Sequence, residues 1–326
     1  MPHIIFGGSG FIGTHLKRYL IENNIETPQN VYCYDIRKKV SDGFMELDVR
    51  KPIQLEIPNI ANSVIYNLAA VHTTPGHPDH EYFETNIWGA TNVCDFARKN
   101  NINTILFTSS IAPYGASEDY KTEDTIPMPN TPYGISKLNA EYIHKLWQAE
   151  DPENRKLLIV RPGVVFGKQE GGNFTRLFNS IKKGFFFYPG RKDTIKASVY
   201  VKDVVRILYE LGQKEPAGAA ITYNLSYFPA PTIEIICETM AHATGLKKPS
   251  ILVPAWALKF AAGMAYAGGR IMGKKISGIH PDRVRKLMIS TNISGEKLSK
   301  SPYKLNFTLE EALKDWLKDC DNQGLY

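Results

Sequence analysis

Cysteine is scarce in this 326-residue chain: the four, Cys33, Cys94, Cys237 and Cys320, stand far apart and form no CxxC pair. That excludes a disulfide framework and a cysteine zinc site, and it suits a reducing, cytoplasmic setting. No stretch combines low hydrophobicity with charge of one sign, so the chain is expected to fold throughout. No arginine-rich run with interleaved aromatics occurs, which argues against nucleic acid as a partner. The opening residues, Met1 to Phe6, lack the basic and long apolar regions of a signal peptide, and no export is expected. The most apolar later stretch, Ile251 to Gly273, is interrupted by Pro254, Lys259, Arg270 and four glycines. Charges near mid-span are costly in lipid, so it reads as a helix in a smaller domain and no transmembrane segment is expected.

What is present is an ordinary globular composition, 43 % apolar and 22 % charged, with a net charge of +6. At about 150 residues per domain the length allows two domains. From Leu246 onward 14 Lys/Arg face 7 Asp/Glu, more than the whole excess, a balance suited to a phosphorylated ligand. Apolar runs at His3–Phe6, Val31–Tyr34, Val64–Leu68, Thr104–Thr108 and Leu157–Val160 alternate with helical spacing at Phe11–Glu22, Tyr82–Lys99 and Tyr133–Trp147. This alternation predicts an α/β fold with a parallel sheet covered on both faces. Gly, Pro and aromatic residues then crowd Pro162 to Gly190, as a lid would. The sheet is expected to resume at Ser198–Val201 and Ile221–Leu225 around a helix Lys202–Leu211, and Thr308 to cap a last helix, Leu309–Leu317. The implied organisation is interleaved: 1–165 and 198–228 form a dinucleotide-binding domain, and 166–197 and 229–326 a smaller, mostly helical substrate domain.

Gly7-Gly8-Ser9-Gly10-Phe11-Ile12-Gly13 follows the first strand and opens a helix. In that context glycines permit a tight turn and a close approach of backbone N–H groups to a pyrophosphate at the positive helix end, although the spacing is GxxGxxG rather than GxGxxG. Gly7, Gly10, Phe11, Ile12 and Gly13 are therefore expected to touch the dinucleotide. Asp35 ends the second strand, where a carboxylate can accept the adenosine ribose hydroxyls and repel a 2′-phosphate, favouring NAD; Arg37 could partly offset this. Tyr133 and Lys137 share one helix face at i and i+4. A phenol works as a base near neutrality only beside a cation, which Lys137 can supply. Ser110, just past a strand end, could hydrogen-bond a reacting oxygen. Each of these also has a plain reading, as a solvated strand end, an exposed helical pair or a capping hydroxyl. The loop with His72, His77 and His80 also contains Pro75, Gly76 and Pro78, so no metal is expected there, and His72 is a candidate substrate contact.

Taken together, GGSGFIG at 7–13, Asp35, Leu47-Asp48-Val49, Asn67 to Ala70, Asn86, Ser109-Ser110 with Tyr114-Gly115, Tyr133 to Lys137, Arg161-Pro162 and Val199 to Asp203 resemble the extended short-chain dehydrogenase/reductase superfamily, specifically its NAD-dependent epimerase/dehydratase family. The resemblance covers nearly the whole chain. It implies a Rossmann-type, doubly wound domain with a small sugar-nucleotide domain, NAD retained through turnover, a triad of Ser110, Tyr133 and Lys137, and a homodimer in which helices Tyr82–Lys99 and Tyr133–Trp147 pair with their copies around Trp88, Phe96 and Trp147. It further implies cofactor contacts from Asp48 and Val49 (adenine), from Leu68, Ala69 and Ala70, and from Pro162. Arg191, Lys196 and Arg283 match cations that meet a diphosphate, and Asn173 begins a helix under the nucleotide.

Departures narrow the chemistry. Ile111 and Ala112 follow the triad hydroxyl where sugar 4,6-dehydratases carry an acid, so dehydration is not expected. Val164 stands where many relatives have a substrate-binding Asn, and Lys196 where an Arg is usual. The resulting expectation is a 4-epimerase of a nucleotide-diphosphate sugar, working through a transient 4-keto intermediate and serving polysaccharide biosynthesis. A one-way 4-ketoreductase using NAD(P)H would employ the same residues. A catalytically silent dinucleotide sensor would need only the glycine loop and Asp35.

Overall fold

The computed structural model describes residues 1–37, 43–73, 76–258 and 288–326. The first half runs β1 (His3–Phe6), α1 (Phe11–Glu22), β2 (Val31–Asp35), β3 (Met45–Glu46) and β4 (Val64–Asn67). Then come α2 (Asp79–Phe83), α3 (Gly89–Lys99), β5 (Thr104–Thr108), a short strand β6 (Ser117–Lys121), α4 (Pro132–Ala149) and β7 (Lys156–Pro162). The second half contributes β8 (Val164–Phe166), α5 (Asn173–Lys182), β9 (Tyr188–Pro189), β10 (Ser198–Tyr200), α6 (Val201–Lys214), β11 (Ala220–Leu225), α7 (Ile233–Thr244), β12 (Leu252–Val253) and β13 (Thr291–Ile293). A helix Leu309–Asp319 closes the chain, and Thr308 and Glu311 form the capping box at its start.

Seven strands make one parallel sheet in the order β11-β7-β5-β4-β1-β2-β3, the doubly wound arrangement of a Rossmann-type domain. Side chains alternate across it. Ile5, Tyr66 and Leu106 pack with Leu16, Leu20, Leu208 and Leu211 of α1 and α6. Ile4, Phe6, Ile65 and Ile105 pack on the other face with Val93, Ala97, Ala140 and Trp147 of α3 and α4. Burial on both faces is why these strands read as continuous apolar runs. A third cluster, with Phe166, Phe174, Phe178, Tyr188, Ile236, Met240, Leu313 and Trp316, gathers α5, α7 and the closing helix.

Three sequence readings need correction. Ser198–Tyr200 does not rejoin the large sheet but pairs with β8 in a separate two-stranded one, because the chain has already left the sheet after Pro162. The single helix expected over Tyr82–Lys99 starts earlier, at Asp79, and carries a wide π turn at Glu84–Trp88. At that turn Asn86 is turned inward: its side chain accepts from Val71 N (3.0 Å) and donates to Ser136 Oγ (2.8 Å), contacts no periodicity encodes. Finally, of the three expected dimer-core residues, Phe96 and Trp147 are 2 % and 0 % exposed inside the subunit core. The outward face instead carries Trp88, Ile135, Tyr142 and Leu146, all exposed.

Candidate active site

The site lies at the carboxyl edge of β1, β4 and β5, where strand order reverses and the sheet opens a crevice. Leaving β1, the chain turns through Gly7 with φ +80°, and the Gly7 and Gly8 N–H groups both donate to Tyr34 O at 2.8 and 3.0 Å. A Cβ on Gly7 would come within 2.7 Å of Ala69 N, and one on Gly13 within 2.5 Å of Gly7 O. Any side chain there would push the loop away from β4 or the helix away from the loop. The N-terminus of α1 has Gly10 as its cap residue, no side-chain cap and no acidic residue in the first turn. Among the described residues the buried Ser9 Oγ finds no hydrogen-bond partner. Uncapped amides at a positive helix end and an unsatisfied hydroxyl are the donors a diphosphate needs.

Asp35, nearly buried, sits across this loop: one carboxylate oxygen accepts from Ser9 N at 3.2 Å and the other from Arg37 N at 3.1 Å. Those contacts aim it at the loop and leave lone pairs for a ribose. Asp48 follows β3, where Arg50 binds its carboxylate through Nε and Nη2 and lowers its pKa. Val49 is buried against α3, its carbonyl accepting from Asn92. Leu68, Ala69 and Ala70 line the edge of β4, with Leu68 N donating to Phe6 O.

Ser110, Tyr133 and Lys137 are brought together from β5 and α4. Thr131 caps α4 by accepting from Gly134 N, and Pro132 opens the first turn, so Tyr133 enters at a fixed angle. Its phenol hydrogen-bonds Ser110; burial raises its pKa and that bond opposes the rise. Ser110 Oγ also accepts from Ala112 N. Lys137, one turn on, is 2 % exposed. It donates from Nζ to Thr108 O at 2.6 Å and lies 4.5 Å over the Phe107 ring. Burial lowers its pKa to about 7, with Glu141 pulling the other way.

Behind this trio is a buried ionic cluster: the motifs included Ser109, Tyr114 and Arg161 but neither Glu141 nor Asn224, which join them. Arg161 binds Glu141 through Nε and Nη2 (2.9 and 2.6 Å), and Ser109 donates to Glu141 at 2.5 Å. Arg161 Nη1 donates to Tyr114, which donates on to Asn224 Oδ1. Burial alone would lower the Arg161 pKa, but Glu141 and Tyr114 outweigh it and raise it. The cluster ties the carboxyl ends of β5, β7 and β11 to the middle of α4. Glu141 sits at i+4 from Lys137, so the same helical spacing that paired Tyr133 with Lys137 also marks it.

The candidate substrate residues are dispersed. His72 lies near Lys137, whose charge adds to burial in lowering the His72 pKa. Asn173 opens α5 and accepts from Arg176 at 3.0 Å. Arg191 pairs with Asp193 (2.6 Å) and Glu118 (3.1 Å). Lys196 donates to Ile289 O, and its burial lowers its pKa to about 8. Pro162 ends β7 with its carbonyl accepting from Ile111 N. Arg283 lies outside the described residues. Among the described residues no cluster of metal-ligating side chains occurs.

A model of the family described as "NAD dependent epimerase/dehydratase family" matches residues 3–226. The N-acetyl-alpha-D-glucosaminyl-diphospho-ditrans,octacis-undecaprenol 4-epimerase of Escherichia coli O157:H7 is 29 % identical, over 95 % of this chain and 92 % of its own. Among solved structures, the UDP-glucose 4-epimerase of Thermotoga maritima, with UDP-glucose, superposes with a TM-score of 0.72 at 20 % identity, covering 99 % of both chains. An L-threonine dehydrogenase from Phytophthora infestans reaches 0.74 at 17 % identity over 98 % of this chain and 100 % of its own. Likeness at that level shows the fold, and the fold by itself does not choose the substrate.

Proposed function

The chain belongs to the NAD dependent epimerase/dehydratase family, an enzyme family whose cofactor is NAD, and from this premise we propose that it is a 4-epimerase of a diphosphate-linked sugar. The observation that carries the reading is the convergence of Ser110, Tyr133 and Lys137 beside the glycine loop, with no proton-transfer residue at Ile111 or Ala112. The uncapped α1 terminus and Ser9 Oγ would hold the diphosphate of NAD, Asp35 its adenosine ribose, and Lys137 the ribose near the reacting centre. When bound, NAD supplies the oxidant for the sugar carbinol and the reductant for the return.

Tyr133 Oη takes the proton from the sugar 4-hydroxyl. Ser110 Oγ holds the same oxygen while it is hydroxyl and while it is carbonyl. The Lys137 cation stabilises the phenolate. Because burial alone would keep the phenol protonated, the Ser110 hydrogen bond acts in the direction the base needs. The 4-keto sugar turns within the crevice, and Tyr133 returns the proton to the inverted alkoxide. A UDP-hexose supplied in deuterated water should interconvert with its C4 epimer without added cofactor and without deuterium at C4. A requirement for stoichiometric NAD(P)H and a 4-keto substrate would make the chain a ketoreductase.

A polyprenyl-diphosphate sugar is the second reading of the carrier, favoured by the Escherichia coli relative and by Val164 and Lys196 at positions where nucleotide-sugar relatives differ. Turnover of the two carriers side by side decides it. On the cofactor side, fluorescence titration should give tighter binding of NAD than NADP, and Asp35→Ala should narrow the gap. Equal affinities in the unmodified chain would reassign Arg37 as a phosphate ligand. A second copy would cover Trp88, Tyr142 and Leu146, forming a homodimer, so light scattering should report twice 36.7 kDa. Leu146→Glu should halve that mass, since a charge in an apolar interface has no partner.

A further inference from the structure

We propose that the face built from the end of α5, the segment leading into β9 and the segment around β12 is a docking surface for an anionic lipid bilayer. Two stretches of sequence free of acidic residues meet there. Between Glu170 and Asp193 the chain has five Lys/Arg and no Asp or Glu; from Thr239 to Leu258 it has Lys247 and Lys248 and again no acid. Parallel pairing of Tyr188 with Leu252 and of Pro189 with Val253 joins them, sealed by Tyr188 N donating to Ile251 O at 2.8 Å.

Alternation along the segment into β9 turns Tyr188 into the third core cluster and leaves Phe187 exposed, and Ile251 beside it is exposed as well. Phe185 is 77 % exposed and Trp256 73 %, and Leu252 is also open. Lys182, Lys183 and Lys247 are exposed beside them and make no ion pair among the described residues, while Lys248 pairs with Glu238.

Exposed aromatic and aliphatic side chains beside exposed lysines suit the interface of a membrane: the apolar groups enter the acyl boundary and the ammonium groups meet the headgroup phosphates. A second copy of the chain is a poor occupant. A two-fold contact would set lysines against lysines, with no unpaired acid among the described residues of this face to answer them. Among the described residues no helix is long and apolar enough to cross a bilayer, so the attachment is peripheral. It is independent of which sugar the active site turns over.

The full chain should co-sediment with vesicles of phosphatidylcholine containing phosphatidylglycerol and release on raising the salt. Phe185→Ser with Trp256→Ser, and separately Lys182→Glu with Lys183→Glu, should each weaken that binding about tenfold or more. All four side chains are exposed, so unchanged melting temperatures would confirm that the variants are folded. No binding to anionic vesicles, equal binding to pure phosphatidylcholine, or unchanged binding by both variants would overturn the proposal. So would self-association lost in the Phe185/Trp256 variant without any vesicle binding, which would give the face to a second copy. None of these readouts depends on catalysis, so their failure is distinguishable from failure of the epimerase reading.

Discussion

Tyr133→Phe should slow turnover by ~10²–10⁴-fold while sugar binding stays nearly intact. The ring remains, so its packing 6.2 Å from the Tyr82 ring is kept and only the proton carrier is lost. Steady-state rates with a UDP-hexose, paired with titration calorimetry of substrate, separate the two effects. Ser110→Ala should cost less, because Tyr133 keeps its proton chemistry, but it should move the rate's dependence on tyrosine ionisation to higher pH. The sign follows from the structure: the Ser110 hydrogen bond lowers the Tyr133 pKa, so its removal lets burial raise it further. Undiminished activity in Tyr133→Phe would remove this residue from the mechanism, whatever its position.

The second large effect is on stability. Glu141→Ala should destabilise the protein by ~3–5 kcal/mol, because it strands a buried guanidinium with no counter-charge. The side chains of Arg161 and Glu141 are 4 % and 0 % exposed, and Ser109 would lose its acceptor at the same time. Urea denaturation measures the loss. The double replacement Glu141→Leu with Arg161→Met removes both charges together and should recover much of it, since a buried pair exchanged for apolar side chains is often near neutral. A single variant as stable as the parent would mean that water reaches Arg161 and that the cluster is not closed.

Placement of these groups was partly legible beforehand. The glycine loop needed only its own sequence and the strand before it, because tight backbone approach is a property that glycine alone permits. Tyr133 and Lys137 were legible through helical spacing, and Thr308 through its capping box with Glu311. The Arg161 cluster was not: its members come from β5, α4, β7 and β11, and no local pattern links Glu141 to a residue 20 positions later.

The sequence by itself determined the parallel α/β alternation and the tight glycine loop after β1, since both follow from period, burial and backbone freedom within a few residues. It also carried the two acid-free stretches. Only the tertiary structure decided that those stretches meet along β9 and β12, that Phe96 and Trp147 turn inward while Trp88 and Leu146 turn out, and that Ser198–Tyr200 leaves the main sheet. Helical spacing fixes which residues share a face, but which face meets the core depends on neighbours distant in the chain. Strand propensity likewise specifies an extended segment without specifying its partner.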